Sequence, residues 1–393
     1  MTKNTIADDT QTRIDYLINC RRTLHRCPEV GFEVPETCSL IERFLDELGI
    51  VHTQKYCKYS VVGYVGTRTD VPVIAVRADM DGLPVEEKTG LDYASEKAGF
   101  MHACGHDAHM AMLLGAARTL KPIEDSLPFR LKMIFQPAEE SADSGARLMF
   151  ENGVLDDVDY VLCQHVDGSL DSGCVGYAYG TVCSACTPID ITFHGKTAHA
   201  TIPHKGHDAI AMMFKTYSGI QLMLSREIDP FENMVCSVGA VNGGVVHNVV
   251  CDKANMKISL RTFDVQVNDF VVDRVKLLAE HAAKELGGTV NYEAHMSAPA
   301  VVNDDFVVDC LKEAAEDIYG DNVRLVRPKM SSDDFSWFAA NKPSVYYWLG
   351  IRNLSKWHET SLHNNDFMVD DDALLGGEKL LINTMYKLAK AIQ

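Results

Sequence analysis

The run VPVIAVRAD at residues 71–79 constrains this chain more than any other stretch. It is continuous, apolar and β-branched, which is the pattern of a strand covered on both faces. The segments around it repeat one theme. GHDAHMAMLLGAARTL (105–120) reads as a helix, and LKMIFQPAEE (131–140) as a strand ending in acid. ADSGARLMFENG (142–153) reads as a helix stopped by Gly153, and DYVLCQH (159–165) as a strand ending in histidine. Strand–helix–strand order of this kind indicates an α/β layer with a mostly parallel sheet. Chemistry in such sheets collects beyond the carboxyl ends of the strands. On this reading Asp79, Glu139, Glu140 and His165 all fall there.

Ahead of this region, helices are expected at 10–26 and 35–49, the second stopped by Gly49, followed by strands at 59–66 and 71–78. Near residue 183 the pattern changes. Strand-like 189–199, helical 208–225, strand-like 234–244 and 255–263, and helical 268–286 give a β-α-β-β-α order, that of a small two-layer α+β domain with an antiparallel sheet and two helices. A mixed character returns near 297, with a helix at 307–320, a strand at 344–350 and a final helix at 371–392. A chain of 393 residues exceeds one comfortable core. The expected architecture is therefore α/β and two-domain. Residues 1–182 and 297–393 form a mostly parallel-sheet domain, and 183–296 form a smaller inserted one. An exposed edge strand of the inserted domain could pair two copies of the chain, so a homo-oligomer is open.

Charge excludes some functions. The formal net charge is −18 and no basic run is interleaved with aromatics, which speaks against a nucleic-acid partner. The opening MTKNTIADDTQTRIDYL is polar and lacks an apolar signal-peptide core, and no apolar run is long enough to span a bilayer. No membrane partner is expected, and the cytoplasm is the simplest location. Twelve cysteines spread along a chain of this length do not resemble a disulfide-stapled fold. Cys183 and Cys186 have CxxC spacing but no second such pair, which is poor support for a structural zinc knuckle.

The densest chemistry lies in MHACGHDAHM (101–110), which gathers His102, Cys104, His106, Asp107 and His109. Thiolate and imidazole suit a borderline metal such as zinc, and Cys104 and His106 can converge where loop turns into helix. A buried cysteine among hydrogen-bonded core histidines is the alternative. QPAEE (136–140) places two carboxylates side by side. Buried and unpaired they would be costly, and a metal removes that cost, one carboxylate binding it while the other takes a proton from water. A solvated acidic turn is the competing account. His165 and, in LHNNDF (362–367), His363 complete a set of Cys, His, Glu, His and His with a spare Glu. That is enough for a two-metal site suited to amide hydrolysis.

The sequence resembles the M20 metallopeptidase superfamily, in the branch of N-acyl-amino-acid amidohydrolases, hippurate hydrolases and auxin-conjugate hydrolases. The matching stretches are RRTLHRCPEVGFEVPET (21–37), VRADMDGLPVEE (76–87), MHACGHDAHMAMLLGAA (101–117), FQPAEESADSGARLM (135–149), GKTAHATIPHKGHDAI (195–210) and LHNNDF (362–367). The resemblance implies that Cys104, His106, Glu140, His165 and His363 bind two divalent metal ions, with Cys104 shared; a Cys/His/Glu donor set accepts zinc, manganese, cobalt or nickel. It implies that Glu139 is the general base, and that Asp79, Asp81 and Asp107 orient ligands. It also implies that His199 reaches the active-site cleft from the inserted domain, and that Asn248 and Arg261 contact a substrate carboxylate. The expected substrate is a small N-acylated amino acid, with a dipeptidase or carboxypeptidase, or a non-catalytic metal-binding relative, as alternatives. The chain departs from the family pattern at MSSDDFSWF (330–338), at NVVC (248–251), and at Lys196 and Thr197 before His199. None of these touches an expected ligand.

Overall fold

A computed structural model describes residues 10–141 and 143–392. The polar opening at residues 1–9 and Ala142, in the expected 142–153 helix, lie outside the described residues. The chain divides into two compact units: one through Val182, with Val301–Pro328 and the segment from Asp334 onward, and a second of Cys183–Ala300 with Lys329–Asp333.

The first unit is built on an eight-stranded sheet. From one edge to the other its strands are His52–Thr53, Val61–Val65, Arg130–Gln136, Val73–Asp79, Tyr160–Asp171, Ser344–Arg352, Val175–Tyr177 and Val323–Leu325. The four central strands, from Arg130–Gln136 to Ser344–Arg352, run parallel. Antiparallel pairing is confined to the flanks. Every residue of Val73–Asp79 is buried, as its unbroken apolar run requires. The helices Thr10–His25, His106–Leu120 and Asp372–Ala391 share a core with this sheet, including Leu17, Leu24, Met112, Leu113, Leu381 and Met385.

Two strand ends differ from the sequence reading. Arg130–Gln136 stops before Pro137, which lacks an N–H for the ladder, so Glu139 and Glu140 stand on the following turn. The strand expected to end at His165 continues to Asp171. Its ladder with Val73–Asp79 ends at Cys163, whereas its pairing with Ser344–Arg352 carries on past His165.

The second unit is an antiparallel four-stranded sheet, ordered Thr289–Ala294, Ala185–His194, Lys253–Thr262, Met234–Gly243. The helices Ala209–Arg226 and Val265–Glu285 cover one face, burying Met212, Ile220, Val271 and Val275 with Ile191, Phe193 and Met256. Asp208 and Asp264 cap them by accepting N–H groups of the first turn. The edge strand Thr289–Ala294 is absent from the sequence reading; its signal is the alternation of half-buried Val290, Tyr292 and Ala294 with exposed neighbours.

Candidate metal centre

The turn that carries the paired glutamates is held in an uncommon shape. Ala138 adopts φ +59°, a left-handed conformation that costs a non-glycine residue of order 1 kcal/mol or more. Asp81 offsets that strain. One of its carboxylate oxygens accepts the N–H of Glu139 and the other that of Glu140, each at 3.1 Å. Gly145 closes the loop by donating its N–H to the Ala138 carbonyl at 3.2 Å. A Cβ at Gly145 would fall 1.8 Å from the Pro137 carbonyl oxygen, so only glycine fits.

Beside this turn the chain passes from loop to helix at Gly105, whose φ is +82°. A Cβ there would meet Val166 at 2.4 Å, so glycine lets the helix start press against the strand that carries His165. Two buried imidazoles then point inward. His106 Nδ1 lies 2.8 Å from the Asp81 carbonyl oxygen, and His165 Nδ1 lies 2.7 Å from that of Val166. A carbonyl can only accept, so each Nδ1 carries the proton and donates, and in the neutral rings the lone pairs sit on Nε2. His165 Nε2 is 3.6 Å from Cys104 Sγ. His106 Nε2 is buried and makes no hydrogen bond among the described residues. His363, at φ +66°, comes from an irregular segment and is fixed by donating its N–H to Ala103 O at 2.8 Å. Its Nε2 stands 3.1 Å from Glu140 Oε1.

These side chains form two ligand groups that share one atom. Cys104, His106 and His165 present donor atoms within 4.8 Å of one another, and so do Cys104, Glu140 and His363. His106, Glu139 and Glu140 meet the same limit. The electrostatics fit a cation. Burial, followed by the charges of Glu140 and Glu139, pushes the Cys104 thiol well above its ordinary range. Burial opposes ionisation of Glu140 as well, but His363 and His106 outweigh it and hold that carboxyl low. Burial, with His109 adding to it, keeps His165 neutral. A buried protonated thiol beside carboxylates is what a divalent ion reverses, since it deprotonates a coordinating thiol and offsets the acidic charge. The thiolate, imidazole and carboxylate donors therefore fit the two ions that the sequence resemblance implies.

The expected orienting residues separate on inspection. Asp81 holds both the glutamate turn and, through its carbonyl, His106. Asp79 accepts from His109 Nδ1 and from Arg77 Nη1, both at 2.6 Å. Among the described residues Asp107 makes no hydrogen bond to a candidate ligand side chain. It accepts instead from Arg21 Nε at 3.0 Å and His25 Nδ1 at 2.9 Å, because its place on the helix turns it toward the Thr10–His25 helix. Residue-level sequence reasoning missed Arg77 and Asp334. The Arg77 guanidinium is buried and also donates to Asp334 at 2.9 Å, and Asp334 accepts from Ser144 Oγ at 2.7 Å and the Ala146 N–H at 3.1 Å. An arginine inside an otherwise apolar strand was the available signal, since such a charge needs buried partners.

In the second unit His199 and Asn248 come together. His199 bridges to Val249, and Ala200 donates its N–H to Asn248 O at 3.0 Å. Both side chains are exposed. Arg261 is not with them. It pairs with Cys186 near the far end of Lys253–Thr262, about 25 Å along the strand from its first residue, and donates to Ser332 Oγ at 2.6 Å.

Comparison with known proteins agrees with this geometry. The model for peptidase family M20/M25/M40 matches residues 75–387. The N-acetyl-L-cysteine deacetylase of Bacillus subtilis is 34% identical, over 95% of this chain and 88% of that protein. Thermostable carboxypeptidase 1 of Saccharolobus solfataricus is 32% identical, over 94% of both. The crystal structure of a dinuclear metal-binding M20 peptidase from Bacillus subtilis superposes with a TM-score of 0.84 at 30% identity, covering 97% of this chain and 99% of that one. Fold and site thus define a two-unit metallohydrolase with a dinuclear centre. The chain belongs to peptidase family M20, whose chemistry is metal-dependent hydrolysis of amide and peptide bonds. No described helix is long and apolar enough to cross a membrane.

Proposed function

We propose that this protein hydrolyses the acyl–nitrogen bond of N-acyl-L-amino acids, with acetyl, benzoyl or a similar acyl group, to a carboxylic acid and a free amino acid. The observation that carries the reading is the clamped Glu139–Glu140 turn beside two ligand groups joined at Cys104. Cys104, His106, Glu140, His165 and His363 would hold two divalent ions, with the Cys104 thiolate shared. The ions, when bound, polarise the acyl carbonyl and make water acidic enough to lose a proton near neutral pH. Glu139 takes that proton and returns it to the departing amine. Asp81 holds the backbones of both glutamates and so keeps base and ligand in register. His199 donates a hydrogen bond to the developing oxyanion or to the substrate carboxylate, and Asn248 belongs to the same polar surface. Arg261 offers a guanidinium that can hold a carboxylate through two parallel hydrogen bonds, apart from the other two.

A carboxypeptidase or dipeptidase activity is the second reading. It is favoured by the likeness to the Saccharolobus carboxypeptidase, and because a peptide is itself an N-acylated amino acid. The test is release of free amino acid from N-acetyl, N-benzoyl and longer N-acyl amino acids and from dipeptides, using metal-stripped protein with and without added zinc, manganese, cobalt or nickel. Metal-restored turnover that favours the N-acyl compounds supports the proposal. A preference for dipeptides supports the second reading, and no turnover with both ions bound contradicts both.

A further inference from the structure

We propose that His109 is a positioning residue: it fixes the peptide that aims His165 at Cys104 and is not itself a metal ligand. This rests on the assignment of His165 as a ligand. His109 is buried, and its ring centroid lies 4.7 Å from that of His165. By proximity it qualifies as a ligand, because with Asp79 and His106 it presents donor atoms within 4.8 Å of one another.

Its hydrogen bonds exclude that role. His109 Nδ1 meets the Asp79 carboxylate at 2.6 Å, and the Val166 N–H reaches His109 Nε2 at 2.9 Å. A backbone N–H can only donate, so Nε2 is the lone-pair nitrogen and Nδ1 carries the proton. Asp79 sets this tautomer. Its other oxygen takes the Arg77 guanidinium at 2.6 Å, and the pair is wholly buried. The single lone pair on Nε2 accepts from Val166 and cannot also bind a metal.

That bond is placed where the strand lacks a neighbour. The ladder to Val73–Asp79 ends at Cys163, and His109 receives the Val166 N–H on that side. Val166 in turn accepts the Nδ1–H of His165 on its carbonyl at 2.7 Å. The order Arg77, Asp79, His109, Val166, His165 is therefore one chain of oriented contacts, and its end sets where His165 Nε2 points. A partner of this kind typically contributes 10–100-fold to metal affinity.

Two substitutions separate the nitrogens of His109. His109→Gln can keep an acceptor for the Val166 N–H, whereas His109→Asn can keep only the contact to Asp79. Metal-free proteins are titrated with Co(II), reading stoichiometry, affinity and the visible spectrum, with far-UV circular dichroism as the check on folding. His109→Gln is expected to bind two Co(II) per chain with the wild-type spectrum. His109→Asn is expected to bind one as wild type and the other at least ~10-fold more weakly. Should His109→Asn not fold, Asp79→Asn releases the tautomer lock and is expected to give the same selective weakening. His165→Ala is the control and should weaken the same ion. If it does and His109→Asn (or Asp79→Asn in its place) binds both ions as wild type, the positioning role is overturned and the ligand assignment stands. If His109→Gln and His109→Asn lose an ion equally, His109 is a ligand and the proposal is wrong. If His165→Ala binds both ions as wild type, the ligand assignment itself fails and takes the positioning role with it.

Discussion

The Asp81 carboxylate accepts the backbone N–H of Glu139 at 3.1 Å, and with its second oxygen it accepts that of Glu140 at the same distance. One buried side chain thus fixes both the proposed base and a proposed ligand, on a turn that Ala138 makes energetically uphill. Asp81→Ala leaves two peptide N–H groups without this acceptor and lets the turn relax. The expected result is a 10–100-fold loss in kcat/KM with a parallel loss in metal affinity. Asp81→Asn, which keeps one acceptor oxygen, should fall between alanine and wild type. Steady-state kinetics with metal analysis on both variants checks the order.

Gly105 stands between the helix that begins at His106 and Val166. Gly105→Ala forces a side chain into a left-handed backbone position and within 2.4 Å of Val166. Strain and overpacking together should destabilise the fold by about 1–3 kcal/mol, seen as a lower Tm, and should weaken metal binding because Val166 carries the His165 contact.

His25 gives stability a dependence on pH. Burial opposes its charge, but Asp107 and Glu87 outweigh that and raise its pKa to about 9 from an unperturbed 6.5. A group raised on folding contributes fully below the unfolded value, and the contribution is lost as pH rises through the folded one. The Tm should therefore decline between pH 6.5 and about 9. His25→Asn, which cannot take up the proton, should be less stable at pH 6 and show a flatter decline. Parallel thermal melts across this range are the check, and equal slopes for the two proteins would contradict the assignment.

Metal removal should abolish turnover while leaving both units folded, because their cores consist of apolar side chains distinct from the candidate ligands. Stripped protein is expected to keep its far-UV circular dichroism. Added divalent metal should raise Tm with concentration, by about 4 kcal/mol of stabilisation at a thousandfold excess over Kd.

Much of the fold was readable because apolar periodicity and its interruptions are local properties. The buried strand Val73–Asp79, the helix cut off near Gly49 and the capped helices of the second unit all announce themselves in a few neighbouring residues. Thr289–Ala294 escaped because an edge strand buries little and its alternation is faint. Cys104, His106, Glu140, His165 and His363 could be assembled as a candidate set from residue type and strand ends, but the family resemblance was needed to single out His363, which lies 259 positions after Cys104. Arg77, Asp334 and the contacts of Asp107 were not legible. Apart from Asp79, two residues from Arg77, their partners lie far off in the chain, and a lone charge in a sequence does not say what it will meet.

The central claim is that Glu139 moves the proton while its neighbour helps to hold metal. Glu139→Gln keeps the size of the side chain and removes the base. The decisive measurement is kcat for this variant on the best substrate of the panel, with metal content determined on the same sample. The account predicts two bound ions and a fall in kcat of at least ~100-fold. Near-normal turnover with both ions in place would contradict it.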